Sequence, residues 1–385
     1  MVNRSPALLP SQAGDVSRAA ATARYLFFAP WPVQSGSGVN NVVVGLSEAM
    51  RDEYQPAIVV TGWKQPPPGQ LWIKLPSPSF GLRSFAGFLL TLLPNLVRLR
   101  RITQGAIAVN PHYFGPEVFP LALLRRVRIL PKLILSTHGA DVSAIRASSW
   151  FDRNLYSWIC RTADLVVACS HSLASEVKQI SPQANVVAIW NGISSPPLQL
   201  GKRPIPEPYL VSIAAFVEKK GHDVLLRAFQ QAIRTVPDLR LILIGGKGPE
   251  LPAIEKTVEE LGLRDRVELI LDLPHEAVWN WLSHAECFVH APREEPFGLA
   301  VLEAALVRTP VVTTDVGGIG EYLTDDVDGL SCPPDDSERF ADLILRTLRD
   351  TPAARKRADA FFEKAANFTW DAAWAAYKRA AKLIA

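Results

Sequence analysis

Cysteine is scarce in this sequence, and its few copies lie far apart. Cys160, Cys169, Cys287 and Cys332 form no C-x-x-C pair and stand in apolar or strand-like segments. Such spacing fits neither a zinc site nor a disulfide framework, which need cysteines at characteristic spacings. We therefore expect four buried thiols that pack as small hydrophobic groups.

Long apolar runs are also absent. The apolar stretch at 85–93 ends at Pro94, well short of the roughly 20 residues that a membrane-spanning helix needs. Residues 1–23 mix Pro, Ser, Gln and Asp without the apolar core of a signal peptide. The sequence therefore predicts a flexible leader over 1–23, no transmembrane segment and a cytoplasmic protein.

The remaining composition is that of a globular protein with more than one domain. The chain has 385 residues, of which 48% are apolar and 21% charged. At roughly 100 to 200 residues per domain, this length predicts two domains. Short β-branched or aromatic runs alternate with longer amphipathic runs, which is typical of parallel sheets covered by helices. The predicted strands lie near 24–29, 57–61, 106–109, 132–137, 164–169, 185–190, 209–216, 241–245, 266–271, 287–290 and 310–314.

A proline-rich stretch separates the two series of strands. Residues 194–208 contain five prolines and no periodicity, which is typical of a semi-rigid linker. We therefore predict two doubly wound, Rossmann-like α/β domains that face a cleft, one over 24–200 and one over 201–367. Ligands of open α/β sheets bind at the carboxyl ends of the strands, so the chemistry is expected in that cleft.

The two halves of the chain differ in charge. Residues 1–200 contain 18 Lys and Arg against 9 Asp and Glu, a net charge of +9, and residues 201–385 contain 23 against 29, a net charge of −6. This asymmetry indicates different partners for the two halves, one of them anionic. In the basic half, residues 80–132 interleave eight basic residues with apolar runs and have a single acid, Glu117.

Basic charge beside apolar area is how a helix binds an anionic bilayer surface. Residues 80–132 therefore predict a membrane partner, and the alternative is an ordinary core helix with a solvated basic end. Few aromatic residues separate the arginines of this segment, so nucleic acid is not expected to bind.

Two glycine-rich turns follow predicted strands and open helices, SGSG at 35–38 and GGKGPE at 245–250. Small residues there let a phosphate approach free backbone N–H groups and the positive end of the helix dipole. The first turn does not complete G-x-G-x-x-G, because Asn41 stands at the third glycine, so a dinucleotide-dependent oxidoreductase is the weaker alternative. Lys219 and Lys220 precede another helix, where cations oppose the dipole and a bound phosphate explains them better than a solvated face.

Two carboxylates eight positions apart form the third candidate site. Glu295 lies in the loop before a helix that Gly298 opens, and Glu303 lies within that helix. At about 100° per residue, eight positions return to within roughly 80° of the same face. Carboxylates accept hydrogen bonds from sugar or ribose hydroxyls, and the N–H groups of Gly298 and Leu299 can face phosphate. The alternative is an ordinary capped helix with an exposed glutamate.

Together with their neighbours, these motifs resemble the family 4 retaining glycosyltransferases of GT-B fold, over nearly the whole chain after residue 23. The matching segments are STHGAD at 136–141, NGI at 191–193, KG at 220–221, GKGPE at 246–250, the pair Glu295 and Glu303, TPVV at 309–312, GGIGE at 317–321 and FTW at 368–370. The last segment and the helix after it, 368–385, resemble the family's terminal helix, which crosses back onto the first domain.

The resemblance implies transfer of a hexose from a nucleotide diphosphate sugar to a glycan or lipid-linked acceptor, with the anomeric configuration retained. His138, Lys220 and Glu295 are then the catalytic residues: Glu295 holds hexose hydroxyls, Lys220 the diphosphate and His138 the sugar. The donor-binding residues are then Gly38, Lys219, Gly246, Gly248, Phe297, Gly298, Leu299 and Glu303, the last on the ribose. His112, which follows another predicted strand, is the acceptor-site candidate.

The sequence departs from the family pattern at three places. Ala214-Ala215 stands where the family has Gly-Arg, so one diphosphate cation is missing unless Lys219 or another cation replaces it. Pro292 stands in place of a serine and Arg308 in place of a glycine. A nucleotide-sugar epimerase or hydrolase of the same fold, or a catalytically silent nucleotide-binding protein, therefore remains an alternative.

No metal or cofactor is expected. Asp326-Val327-Asp328 resembles the metal-binding D-x-D of another glycosyltransferase fold, but it precedes Gly329 in an acidic turn that is more typical of a solvated loop. His275-Glu276 begins an H-E-x-x-H pattern, but Trp279 stands where the second histidine would be. The nucleotide sugar is a substrate in this interpretation.

Overall fold

The computed structural model describes residues 23–30, 38–61, 71–73 and 82–383, which form two Rossmann-like α/β domains. The first domain has a four-stranded sheet in the order β3-β2-β1-β4 and a three-stranded sheet in the order β5-β6-β7. Single parallel bridges, Val109 to Leu133 and His112 to Ser136, join β4 to β5. The strands are β1 Arg24–Ala29, β2 Gln55–Val60, β3 Leu71–Trp72, β4 Ala106–Pro111, β5 Ile134–Thr137, β6 Leu165–Ala168 and β7 Val186–Ala188.

Helices cover both faces of these parallel strands, which explains why β1 and β6 are nearly continuous apolar runs. The helices are α1 Gly38–Ala49, α2 Leu82–Thr103, α3 Phe119–Arg126, α4 Ala140–Arg146, α5 Trp150–Thr162 and α6 His171–Ile180. α3 packs against both α2 and α5.

The second domain is one parallel sheet of six strands in the order β10-β9-β8-β11-β12-β13. The strands are β8 Tyr209–Ile213, β9 Arg240–Gly245, β10 Val267–Leu271, β11 Cys287–His290, β12 Val311–Thr314 and β13 Leu330–Cys332. The helices are α7 His222–Ala232, α8 Leu251–Glu260, α9 His275–His284, α10 Leu299–Leu306, α11 Ile319–Tyr322, α12 Ser337–Arg349 and α13 Thr351–Ala365, followed by α14 Trp370–Ala381. No helix or strand lies between β7 and β8, where the linker is predicted.

The last helix crosses back onto the first domain, as predicted. α14 packs against α1, where a Cβ atom at Gly45 would lie 2.1 Å from the ring of Trp370. Lys378 forms an ion pair with Glu53 at 2.6 Å, and the Tyr377 hydroxyl lies 3.0 Å from Ser136 Oγ. The two ends of the described chain therefore belong to the same domain.

The sequence predictions for the strands are confirmed. All eleven predicted strands are present, with ends within three residues of the expected positions. The prediction missed β3 and β13, short edge strands without a visible period. All four cysteines are buried and free, as expected. Among the described residues, every helix is too short or too polar to cross a lipid bilayer.

Candidate active site

A cleft of about 1060 Å³ lies between the two domains, at the carboxyl ends of their parallel strands. Of the residues selected from the sequence, the cleft brings together Gly38, His138, Lys220, Gly246, Glu295, Phe297, Gly298, Leu299 and Glu303. Gly38 and His138 come from the first domain and the others from the second. The cleft therefore forms only when the two domains face each other.

Glu295 is the electrostatic centre of the cleft. Its Oε2 atom accepts hydrogen bonds from Lys220 Nζ at 2.6 Å and from His290 Nε2 at 3.0 Å. Burial alone would raise the pKa of this carboxyl group, but the Lys220 charge and the His290 hydrogen bond hold its pKa well below the usual value. Burial lowers the pKa of His290, although Glu295 opposes this shift. Glu295 is therefore ionised, and His290 is a neutral donor.

Glycines hold the loop that carries Glu295. The Gly318 N–H donates to the Glu295 carbonyl at 2.9 Å, and a Cβ atom at Gly317 would lie 2.2 Å from that carbonyl oxygen. Gly298 has a φ of 87°, in the left-handed region that glycine favours, and it caps α10. A Cβ atom at Gly318 would lie 2.3 Å from the Pro296 carbonyl oxygen, so close packing on this loop explains both Gly317 and Gly318.

Glu303 lies in α10 and lines the same cleft as Glu295. It is 7% exposed, and its Oε1 atom accepts a hydrogen bond from His275 Nε2 at 2.9 Å. This hydrogen bond raises the pKa of His275. His275 therefore donates a hydrogen bond to the same carboxylate that is predicted to bind the ribose. Its only signal in the sequence was the incomplete H-E-x-x-H pattern.

His138 stands at the end of β5, on the first-domain wall of the cleft. The backbone N–H groups of His138 and Gly139 donate to Asp141 Oδ1 at 3.1 and 2.8 Å. Gly139 has a φ of 104°, and a Cβ atom there would lie 2.1 Å from Pro296 of the second domain. Only glycine therefore allows this turn to approach the Glu295 loop so closely.

His112 does not line the cleft. It is 1% exposed and lies behind His138, with its Nδ1 atom 3.0 Å from His138 Nε2 and its Nε2 atom 3.1 Å from Asn110 Oδ1. His112 was predicted to contact the acceptor, but it is buried, so it can influence a bound ligand only through His138.

The two glycine-rich turns contribute different residues to the cleft lining. Gly38 is the first residue of α1 and lines the cleft, where a Cβ atom on it would lie 3.8 Å from the Leu299 side chain. Residues 35–37 of the same turn lie outside the described residues. Gly246 lines the cleft, but Gly248 packs on the Phe216 carbonyl instead.

Ala214 and Ala215 line the cleft at the place where the family pattern has Gly-Arg. Lys219 is half-buried beside Lys220 and is not among the residues that line the cleft volume. Burial and the charge of Lys220 lower the pKa of Lys219. The replacement of the missing arginine by Lys219 stays a prediction.

The sequence interpretation missed His290. His290 is the last residue of β11 and lies five positions before Glu295. Because the rest of this strand is apolar, nothing in the sequence distinguished His290 from a buried core residue.

Glu321 was also missed as a site residue, although it belongs to the recognised GGIGE segment. Its carboxylate crosses to the first domain and accepts hydrogen bonds from the N–H groups of His171 and Ser172 at 2.9 and 2.6 Å and from Trp190 Nε1 at 3.1 Å. The start of α6 is therefore capped by the other domain, which fixes the cleft walls against each other.

The acidic turn at 326–328 has cationic partners. Arg346 and Arg357 donate to Asp326 Oδ1 at 2.7 and 3.2 Å, and Lys364 pairs with the buried Asp328. Both carboxylates are thus engaged by side chains of α12 and α13. No group of three or more potential metal ligands occurs among the residues described by the structure.

Comparison with known proteins identifies this architecture. The Glycosyltransferase Family 4 model matches residues 36–195, and the Glycosyl transferases group 1 model matches residues 201–367. Alpha-D-kanosaminyltransferase from Streptomyces kanamyceticus is 31% identical over 302 residues, which cover 70% of this chain and 75% of that protein. Glycogen synthase from Mycobacterium tuberculosis is 30% identical over 219 residues, 56% of this chain and 53% of that protein.

A solved structure shares the fold over nearly the whole chain. HepE from Anabaena, in complex with UDP and glucose, has a TM-score of 0.76 at 17% identity and covers 94% of this chain and 100% of that one. The chain spans about half the length of the glycogen synthase that it matches. The two consecutive family matches and the shared architecture identify this chain as a member of the family 4 glycosyltransferases of GT-B fold.

Proposed function

We propose that this protein transfers a hexose from a nucleotide diphosphate sugar to an acceptor, with retention of anomeric configuration and without a metal ion. The observation that carries the proposal is the buried Glu295 carboxylate, which Lys220 and His290 hold ionised in the cleft. A fixed carboxylate can bind the hydroxyls of a sugar, and the cation beside it can bind the phosphate that leaves.

Two helix N-termini support the binding of a diphosphate. α1 begins at Gly38 and α10 at Leu299, and both residues line the same cleft; a Cβ atom at Gly38 would lie 3.8 Å from the Leu299 side chain. Free N–H groups and the positive end of each helix dipole favour an anion there. With Lys220 beside them, they stabilise the negative charge that develops on the leaving diphosphate and replace a metal ion in that role.

The proposed reaction is tested directly with purified protein, a panel of UDP and GDP sugars, and a panel of glycan and lipid-linked acceptors whose hydroxyl group takes the hexose as the nucleoside diphosphate leaves. The expected product of one of them is a glycoside with the donor's anomeric configuration, observed by proton NMR, at a rate unchanged by a chelator. The UDP in the HepE complex makes UDP sugars the first choice. An inverted product, or a rate that requires a divalent cation, would contradict the proposal.

The second candidate is a nucleotide-sugar epimerase, hydrolase or silent binding protein of the same fold. The observation that favours it is Ala215, which lines the cleft where the family has arginine. A protein that hydrolyses or isomerises the donor without any acceptor, or that binds nucleotide with no turnover, would support this candidate. Nucleotide binding itself is measured by thermal shift, because a ligand at a hundredfold excess over its Kd stabilises the fold by about 2.7 kcal/mol.

Glu303 is proposed to bind the ribose hydroxyls of the donor. Glu303→Gln should weaken binding of the nucleotide sugar about tenfold to a hundredfold, because an amide presents one acceptor and one donor to two hydroxyl groups. The measurement is the Kd by calorimetry, with Glu276→Gln on the same cleft wall as the matched control. An unchanged Kd would place the ribose elsewhere.

The acceptor is proposed to be a glycan or a lipid-linked molecule, reached at the cytoplasmic face of a membrane. α2 supports this proposal, since Leu89, Leu93 and Val97 lie one turn apart on one face and are 46%, 71% and 45% exposed. Arg98 and Arg101 on the same helix are also exposed. Apolar side chains beside cations favour an anionic bilayer surface.

Vesicle binding tests the membrane partner. Sedimentation should increase with anionic lipid, decrease as salt screens the charges, and drop when Arg98, Arg100 and Arg101 are changed to Ser, since each contributes about 1 kcal/mol near the surface. The matched control removes three exposed cations from the second domain, Arg349, Arg355 and Lys356. Equal binding to neutral and anionic vesicles, or none to either, would favour a soluble acceptor.

A further inference from the structure

A buried chain of polar groups leads from the first-domain core to the cleft. It begins at Asn110, whose Nδ2 atom lies 3.0 Å from the Ile134 carbonyl oxygen and 2.9 Å from Ser136 Oγ. A carbonyl oxygen can only accept a hydrogen bond, so the group facing Ile134 must be the amide NH₂. The orientation of the Asn110 side chain is therefore fixed by its surroundings.

The oxygen of Asn110 consequently faces His112. Oδ1 lies 3.1 Å from His112 Nε2 and 3.1 Å from the Tyr25 hydroxyl. Because an amide oxygen can only accept, His112 must carry its proton on Nε2. Burial and the neighbouring His138 lower the pKa of His112 well below its usual value, so the ring is neutral and Nδ1 carries no proton.

The bare Nδ1 of His112 determines the state of His138. It lies 3.0 Å from His138 Nε2, and two ring nitrogens at this distance need one proton between them. His138 must supply that proton from Nε2. Burial lowers the pKa of His138 to about 4, so its ring is also neutral, and its Nδ1 atom is left as an acceptor.

We propose that His112 is a positioning residue that holds His138 in the Nε2–H tautomer, so that His138 Nδ1 accepts a hydrogen bond from a hydroxyl of the transferred sugar. No hydrogen bond to this Nδ1 atom occurs among the described residues, and His138 lines the cleft. In this state His138 cannot donate a proton from Nδ1 to the leaving diphosphate. The sugar contact rests on the proposed function, whereas the tautomer follows from the protein's own contacts.

The tautomer is tested first, on the ligand-free full chain. Long-range proton–nitrogen NMR correlations of 15N-histidine protein at pH 7, assigned with His138→Gln, should show a proton on Nε2 and none on Nδ1 of His138. His112→Phe removes the acceptor and should shift His138 toward the other tautomer. His112→Asn can place its carboxamide oxygen where Nδ1 was and should preserve the Nε2–H state. A His138 protonated on Nδ1 in the wild type would overturn the inference, whether or not the protein transfers sugar.

Kinetics then separate positioning from packing. His112→Phe should lower kcat about tenfold, the order expected for one lost hydrogen bond. The Kd for the nucleoside diphosphate, which lacks the sugar, should stay within twofold. His112→Asn should recover most of the loss.

Equal rates for the Phe and Asn variants, with equal melting temperatures, would show that His112 only fills space. If the wild type transfers no sugar from any donor, the proposed function fails while the NMR result still decides the tautomer.

Discussion

Lys220→Ala should lower the rate of sugar transfer at least tenfold, and losses of about a hundredfold to a thousandfold are typical when a preorganised donor to developing charge is removed. Lys220 Nζ lies 2.6 Å from Glu295, and Lys220 lines the same cleft as Gly38 and Leu299, the first residues of α1 and α10. Without it, the leaving diphosphate loses one positive charge, so the charge that develops in the transition state is stabilised less strongly. The measurement is kcat at saturating donor.

Removing one partner of a buried ion pair also destabilises a protein, by about 3 to 5 kcal/mol in measured cases. Thermal unfolding and binding of the nucleoside diphosphate must therefore accompany the rate measurement, at a temperature where the variant stays folded. A folded Lys220→Ala protein with wild-type turnover would refute the assignment of the diphosphate site.

Lys219→Ala is the matched comparison. If Lys219 replaces the family arginine, this change should also lower transfer at least tenfold, and the double variant should retain almost no activity. Lys219 stands outside the cleft lining, and it carries a lowered pKa because of burial and Lys220. A silent Lys219→Ala would mean that Ala215 is uncompensated, which favours a weak or inactive enzyme.

The parallel strands and the order of the donor-side motifs could be predicted from the sequence because both are local. β6 is apolar over its whole length and β11 is apolar up to its last residue, His290, as is typical of strands covered on both faces. Glu295, Gly298 and Glu303 belong to one loop and one helix, so their spacing alone brings them to the same wall of the cleft.

Contacts between distant parts of the chain could not be predicted in this way. Glu321 accepts a hydrogen bond from the N–H group of His171, which lies 150 positions away in the sequence. No periodicity in the sequence indicates how the two domains pack against each other. His112 and His138 follow neighbouring strands of the first domain, but only the folded structure shows that His138 lines the cleft and that His112 is buried behind it. His290 was concealed because a single polar residue in an apolar strand more often satisfies the core.

Glu295 and the two groups that donate to it act as one electrostatic unit. Lys220 supplies a positive charge, and His290 supplies a neutral N–H that costs no charge burial. Since both bind the same oxygen, Oε2, the other carboxylate oxygen keeps its capacity to accept hydrogen bonds from a ligand. Glu295 is only 12% exposed on its side chain, which strengthens these interactions by excluding water.

Glu295→Gln should lower turnover about tenfold to a hundredfold, because an amide of the same size lacks the charge that binds sugar hydroxyls in the transition state. The Kd for the nucleoside diphosphate should stay within a few fold, since Lys220 and the helix N-termini remain. The neighbouring exposed Glu294→Gln is the matched control and should leave kcat unchanged.

The pH dependence provides an independent check on Glu295. Its pKa is held well below the usual value, so Glu295 stays ionised from neutral pH down to about pH 5, the range above the ordinary pKa of a glutamate. The wild-type rate should therefore show no decline due to Glu295 protonation in this range. The loss caused by Glu295→Gln should accordingly be the same at pH 5 and pH 8. If the wild type and Glu295→Gln had equal rates at pH 5, Glu295 would already be protonated in the wild type at that pH. This result would contradict an ionised Glu295 in the ion pair with Lys220.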